Sequence, residues 1–145
     1  MSDEQPQAAR APLEGVRVLD LTRLLPGPYA GQTLAELGAD VVKIEEPGIG
    51  DGGRALPPLV HGVGLGFLAT NRGKRSAVLN LKAPAGRDAL LRLVDSADIL
   101  LEGFRPGTLA RLGLGYETLR ARNPRLIICA ITGYGQDGPY SQRAG

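Results

Sequence analysis

Apolar and polar positions fall in blocks along this chain, and the period of the blocks changes. Residues 16–21 (VRVLDL) form a short apolar run with β-branched members, which predicts a strand. A Pro-Gly-Pro turn and a helical pattern follow. Pro28 suits the first turn of that helix, where a missing N–H costs nothing, and Gly38 suits its C-terminal cap, where a left-handed backbone favours glycine. A second apolar run at residues 41–44 completes strand, helix and strand, the βαβ unit of a parallel sheet.

The same alternation continues. Residues 76–81 alternate as a strand should, and Pro84 opens a helix with Leu90, Leu91, Leu93 and Val94 on its apolar face. Residues 98–101 (DILL) read as a buried strand, followed by a GFRPG turn at 103–107. A short helix from Pro106 to near Gly113 and another at 116–122 come next, the latter stopped by Asn123-Pro124. Residues 125–131 are the last strand and the most apolar one. Strands alternating with helices predict an α/β fold with a largely parallel sheet.

Three stretches lack this order. Residues 1–12 are polar with two prolines and read as a flexible leader, which leaves 13–145 as one unit. Residues 47–66 are rich in glycine and proline, which predicts a long loop without helix or strand, before a helical turn at 67–70. Residues 133–145 form a second glycine-rich loop. Ligands of parallel sheets sit at the carboxyl ends of strands, here the loops at 24–28, 45–53, 82–83, 102–106 and 132–138.

Composition narrows the class. The 145 residues are 43% hydrophobic and 22% charged, the balance of one globular domain. With no Trp, the core must be Leu, Val, Ile and Ala. A net charge of +2 is too mild for a dedicated nucleic-acid binder. Only three of the 17 basic residues are lysines, and arginine's planar fork matches phosphate oxygens, although genomic composition gives the same bias. The lone Cys129, in RLIICAITG, excludes a disulfide within the chain and fits a reducing cytoplasm; a buried strand position is expected for it rather than a nucleophilic role. No apolar run reaches membrane-span length, so no membrane association is expected. His61 stands alone in a loop, without the partners that metal or triad chemistry needs, and no metal site is expected.

Two stretches carry candidate chemistry. Glu45 ends the second strand, where a dinucleotide-binding protein holds the ribose. Yet the first turn reads LLPGPYAG and not GxGxxG, and Pro26 and Pro28 remove N–H groups that a pyrophosphate would use, so the NAD reading is weak. The segment NRGKRSAVLNLK, 71–82, packs Arg72, Lys74, Arg75 and Lys82 around one turn and one short strand. With Arg105 and Arg111, six cations could converge near strand ends on a ligand with several phosphates. On residue types alone, a solvated charged turn is the simpler reading.

A resemblance shifts that balance. The stretches LEGVRVLDLTRLLPGPYAGQTLAELGADVVKIEEP, NRGKRSAVLNLK, ADILLEGFRPG, RLGLGYETLRARNPRLI and ITGYGQDGPYSQRAG resemble, in order, the N-terminal part of family III CoA-transferases, the CaiB/BaiF group that also holds α-methylacyl-CoA racemase. The resemblance implies a Rossmann-like large domain, of which residues 13–145 are the N-terminal part, a homodimer of interlocked chains, and coenzyme A as substrate with no separate cofactor. It implies CoA contacts at Leu79, Asn80, Leu81 and Lys82, at Gly103, Phe104 and Arg105, and at Arg111. Gly133, Tyr134 and Gly135 match a glycine loop near the thioester. Arg72, Lys74 and Arg75 join the phosphate-binding candidates. Glu46 departs from an arginine that some relatives carry there. The implied reaction moves CoA from an acyl-CoA to a carboxylic acid through an aspartyl mixed anhydride. The racemase branch would instead use a His and an Asp as acid and base, after a motif that begins at Gly145. No residue here matches either catalytic set, so no catalytic residue is named and the chain alone is expected to be inactive. A non-catalytic CoA- or nucleotide-binding module is the remaining alternative.

Overall fold

The computed structural model describes residues 10–143. Its centre is a five-stranded sheet made of β1 (Arg17–Asp20), β2 (Asp40–Glu45), β5 (Arg75–Val78), β6 (Ile99–Glu102) and β7 (Ile127–Ala130). The strand order is β5-β2-β1-β6-β7, and each neighbouring pair is parallel. The chain therefore builds outward from β1 on one side, then returns and builds outward on the other. The order reverses between β1 and β6, and the crevice at such a reversal is where doubly wound sheets bind ligands. The expected α/β fold with a parallel sheet is what the chain forms.

Helix α1 (Pro26–Glu36) links β1 to β2 and packs on one face of the sheet. Pro26 begins it, and Gly38 follows it with a φ of +99°. Two of its glycines face the sheet one turn apart. A Cβ on Gly27 would lie 2.2 Å from Thr22 Cβ, and one on Gly31 would lie 2.7 Å from Asp20 Oδ2. The helix thus rests its backbone on the end of β1. Val18, Val41 and Leu101 fill the rest of this layer.

The opposite face carries the larger core. Helix α3 (Pro84–Val94) contributes Leu90 and Val94, both fully buried. Helices α4 (Thr108–Arg111) and α5 (Tyr116–Arg122) add Leu109 and Leu119 against Leu19, Leu21, Ile44 and Leu100. Leu93, expected on the apolar face of α3, is 36% exposed, because it lies on the flank of the stripe set by Leu90 and Val94. Asn123 is more than the stop signal it resembles in sequence: its buried amide donates to the carbonyls of Val94 and Ala97, both at 2.8 Å, and closes the end of α3.

The segment expected to be loop without helix or strand is partly ordered. It contains a 3-10 turn (Gly52–Ala55) and a hairpin of β3 (Leu59–Val60) and β4 (Val63–Gly64), and then runs into α2 (Leu65–Thr70). The hairpin turns on His61 and Gly62, both with positive φ, the geometry that suits a two-residue reversal. Strands of two residues leave too short a pattern to detect by alternation. Residues 1–9 of the expected leader lie outside the described residues, as does Gly145. Cys129 is exposed rather than buried. It and Ile127, 62% exposed, lie on the α1-side face of the edge strand β7, whose opposite face packs Ile128 into the core.

Candidate functional site

A cavity of about 360 Å³ opens at the carboxyl ends of the strands, on the α3 side of the sheet. That volume lies in the range of small-molecule pockets. Each strand end supplies part of the wall. Leu21 and Arg23 follow β1, Glu45, Glu46 and Pro47 close β2, and residues 79–82 follow β5. Phe104 follows β6, and Thr108 and Leu112 come from α4 and its end. The wall is mainly aliphatic with one aromatic ring. Two cations, Arg23 and Lys82, stand on its rim.

The Leu79–Lys82 wall is held by local bonds. Asn80 Oδ1 accepts from the Lys82 backbone N–H at 3.0 Å, an Asx-type turn. Arg87, on the first turns of α3, donates to the Lys82 carbonyl at 2.9 Å. Across the cavity, the Arg23 guanidinium lies 5.8 Å from the centre of the Phe104 ring and bonds Glu46 Oε1 at 3.1 Å.

Behind the cavity lies a buried ionic layer. Glu45 is 4% exposed and accepts from Arg54 at 2.6 and 2.7 Å, from Ser76 at 2.6 Å and from the Asp51 N–H at 2.9 Å. These bonds, with Arg54 foremost, hold its carboxyl down at about 2 against an ordinary 4.5, although burial opposes them. Glu45 is therefore committed and unavailable as a ribose acid. Lys43 pairs with Asp51 at 2.9 Å, and Lys74 pairs with Asp20 at 2.7 Å, all four side chains being at most 2% exposed. Burial pushes the Asp51 carboxyl up, but the N–H groups of Gly53 and Leu24 and the Lys43 ammonium outweigh it, and the net displacement is downward. The Glu45–Arg54 and Lys43–Asp51 pairs tie residues 51–54 to β2, and the Lys74–Asp20 pair ties the turn before β5 to the end of β1.

Glu45 gives a pH prediction. Its folded pKa lies below the unfolded one, so its stabilisation is complete above about pH 4.5 and is lost as pH falls toward 2. Allowing for the Arg54 side chain, which is 37% exposed, this is worth about 2–3 kcal/mol. Glu45→Gln is expected to lower stability by that amount at pH 7 and to flatten the acid limb between pH 4.5 and 2. Denaturant titrations across that range check it; an unchanged acid limb would remove Glu45 from the account.

The structure separates the six cations that the sequence suggested could converge. Lys82 lines the cavity, whereas Arg111 stands outside its wall and donates to Thr108 Oγ1 at 2.8 Å. Arg105 is exposed on the neighbouring turn with Gly103. Lys74 is enclosed, donating to Asp20, to the Pro28 carbonyl at 2.7 Å and to Asn71 at 2.9 Å. Arg72 bonds Glu36 at 2.9 Å on the far end of α1. Arg75 starts β5 and chelates Asp40 at the amino end of the sheet. Four residues of parallel strand, about 13 Å, separate it from the cavity end. Of the other sequence candidates, Leu79, Asn80, Leu81 and Phe104 line the cavity. Gly133, Tyr134 and Gly135 follow β7 at the same end of the sheet but stand outside the cavity wall. Arg23 and Arg87 were missed: neither sits in a basic cluster, and only the fold brings them here. Among the described residues, no three His, Cys, Asp or Glu side chains converge as a metal site. Among the described residues, no helix is long and apolar enough to cross a membrane.

A parallel sheet whose order reverses at a ligand-sized cavity defines a doubly wound α/β protein. The particular family follows from comparison: residues 13–145 match CoA-transferase family III, and the chain belongs to that family. It is 52% identical over 143 residues to the succinate–glutarate CoA-transferase of Agrobacterium fabrum, covering 94% of this chain and 36% of that protein. It is 48% identical to the human succinyl-CoA:glutarate CoA-transferase, covering 92% and 31% of the two. The crystal structure of a CaiB/BaiF family protein from Brucella suis superposes with a TM-score of 0.89 at 47% identity, covering 94% of this chain and 37% of that one. The chain spans about a third of the length of the curated relatives it matches.

Proposed function

We propose that the cavity at the strand ends takes the nucleotide part of coenzyme A. The observation that carries this is the coincidence of residues 79–82 and Phe104 in one wall, with Lys82 and Arg23 on its rim. An aromatic ring beside aliphatic walls suits a purine, and rim cations suit phosphates. The activity this site would serve is transfer of CoA from an acyl-CoA to a carboxylic acid through an aspartyl mixed anhydride, by a cytoplasmic homodimer. The names of the relatives favour transfer over α-epimerisation. Asp20 and Asp51 are enclosed in ion pairs, and Asp40 and Asp95 are chelated by surface arginines. None of these four is free to attack a thioester.

Titration calorimetry with CoA tests the reading. Binding is expected, and Phe104→Ala should weaken it about tenfold, the worth of one stacked base. Arg75→Ala, at the opposite end of the strand, should leave affinity unchanged. No heat at about 1 mM CoA with folded protein would end the proposal.

A further inference from the structure

Among the described residues of the cavity rim, Glu46 is the one side chain whose charge opposes a phosphate and whose carboxylate is not already saturated: its neighbour Glu45 is tied to Arg54, Ser76 and the Asp51 N–H. Glu46 makes a single bond to Arg23, at 3.1 Å, and both side chains keep solvent access, 32% and 46% exposed. That bond occupies one edge of the guanidinium while the group stands near Phe104. An exposed pair of this kind is held by little free energy, and a phosphate is a better partner for an arginine fork than one carboxylate oxygen.

We infer that Glu46 is an internal competitor for the anion site: it holds Arg23 beside Phe104 in the free protein and yields the guanidinium to a ligand phosphate. This rests on the cavity being the CoA nucleotide site, and assigns Arg23 as its phosphate anchor and Glu46 as the residue that sets its anion selectivity. Several consequences are physical necessities of that arrangement. The phosphate must displace a carboxylate as well as water, so affinity is lower than the cations alone would give. Glu46 stays close after displacement and repels each further phosphate charge, so a nucleotide with two separate phosphates gains less than Arg23 and Lys82 would otherwise provide. Added salt weakens the phosphate contact and the Arg23–Glu46 bond together, so the competition blunts the salt dependence of binding.

Adenosine 3′,5′-bisphosphate and adenosine are the probes, measured by calorimetry on the protein, Glu46→Gln, Arg23→Gln and the double variant. Both side chains reach solvent, and unchanged thermal melts confirm the fold. Glu46→Gln is expected to bind the bisphosphate about fivefold more tightly, the worth of an exposed ion pair, with adenosine unaffected. In the Arg23→Gln background the second substitution should add less than half of that gain. An unchanged affinity in Glu46→Gln, or a full gain without Arg23, overturns the inference while leaving the site in place. Failure of the unsubstituted protein to bind the bisphosphate overturns both the site and the inference.

Discussion

Asp20→Ala is expected to destabilise the protein by about 3–5 kcal/mol, the cost of stranding one member of a buried ion pair. The Lys74 ammonium would remain enclosed with only the Pro28 carbonyl and Asn71 Oδ1 as partners. Burial already pushes the Lys74 pKa down, and the Asp20 charge is the chief influence against it. A lysine whose folded pKa lies below its unfolded value costs stability while it is protonated, because the unfolded state binds more protons. The variant's deficit should therefore shrink as pH rises toward about 10, the unfolded lysine value. Urea denaturation at pH 7 and at pH 9.5 measures both effects. Adding Lys74→Met should recover much of the loss, since an apolar pair of similar volume is often tolerated where a broken pair is not. A loss below about 1 kcal/mol at pH 7 would mean that the pair behaves as an exposed one and that this layer does not hold the site.

The ionic layer marks the limit of what residue order reveals. β1, α1, β2, α3 and α5 are legible because their periodicity and caps are local: Pro28, Gly38, Pro84 and Asn123-Pro124 bound them within a turn, although α1 already begins at Pro26. The partners of buried charges are not local. Asp20 and Lys74 are 54 residues apart, and Glu45 and Ser76 are 31 apart. In sequence Lys74 looks like one more cation in a basic turn; in the fold it is interior, and its ammonium fixes α1 to the end of β1. Arg75 lies away from the cavity for a simpler reason. A run of residues shows that a strand is present but not which of its ends meets the ligand. In a parallel sheet the first residue of a strand lies at the face opposite the ligand crevice. Leu79, Asn80, Leu81 and Lys82 follow the same strand and so lie at the cavity end.

Cys129 and Ile127 show the converse. An apolar run at residues 125–131 suggests burial on both faces, as in a central parallel strand. β7 is central in composition and peripheral in place: its register pairs it with β6 alone among the described strands. Composition records how apolar a strand is, whereas coverage depends on what packs against it. The same distinction explains Arg23. One arginine after a strand carries no signal by itself, and its importance arises only where β1, β2 and β6 bring Glu46 and Phe104 beside it.

Gly86→Ala should damage stability and the candidate site together. Gly86 lies in the first turn of α3, where alanine would ordinarily be the better helix former by about 1 kcal/mol. Here a Cβ would meet the Asn80 carbonyl oxygen at 2.0 Å and its carbon at 2.6 Å. Both are backbone atoms, so no side chain can rotate out of the way. Either α3 lifts from the sheet, unseating Leu90 and Val94, or the turn at residues 79–82 moves by more than an ångström. The first route breaks the larger core; the second withdraws the cavity wall and the Asn80–Lys82 bond. A destabilisation of about 3 kcal/mol or more is expected, at the upper end of overpacking costs because the obstacle is main chain. CoA affinity of the residual folded protein should fall by about tenfold or more, since a shift of an ångström is enough to spoil a positioned contact. Arg87→Ala separates the routes. It removes the bond to the Lys82 carbonyl and leaves the helix contacts in place, so it should weaken CoA binding while costing only about 1 kcal/mol of stability. A Gly86→Ala protein as stable as the parent, with unchanged CoA affinity, would show that the turn yields freely. The close seating of α3 against residues 79–82 would then not be what shapes the cavity.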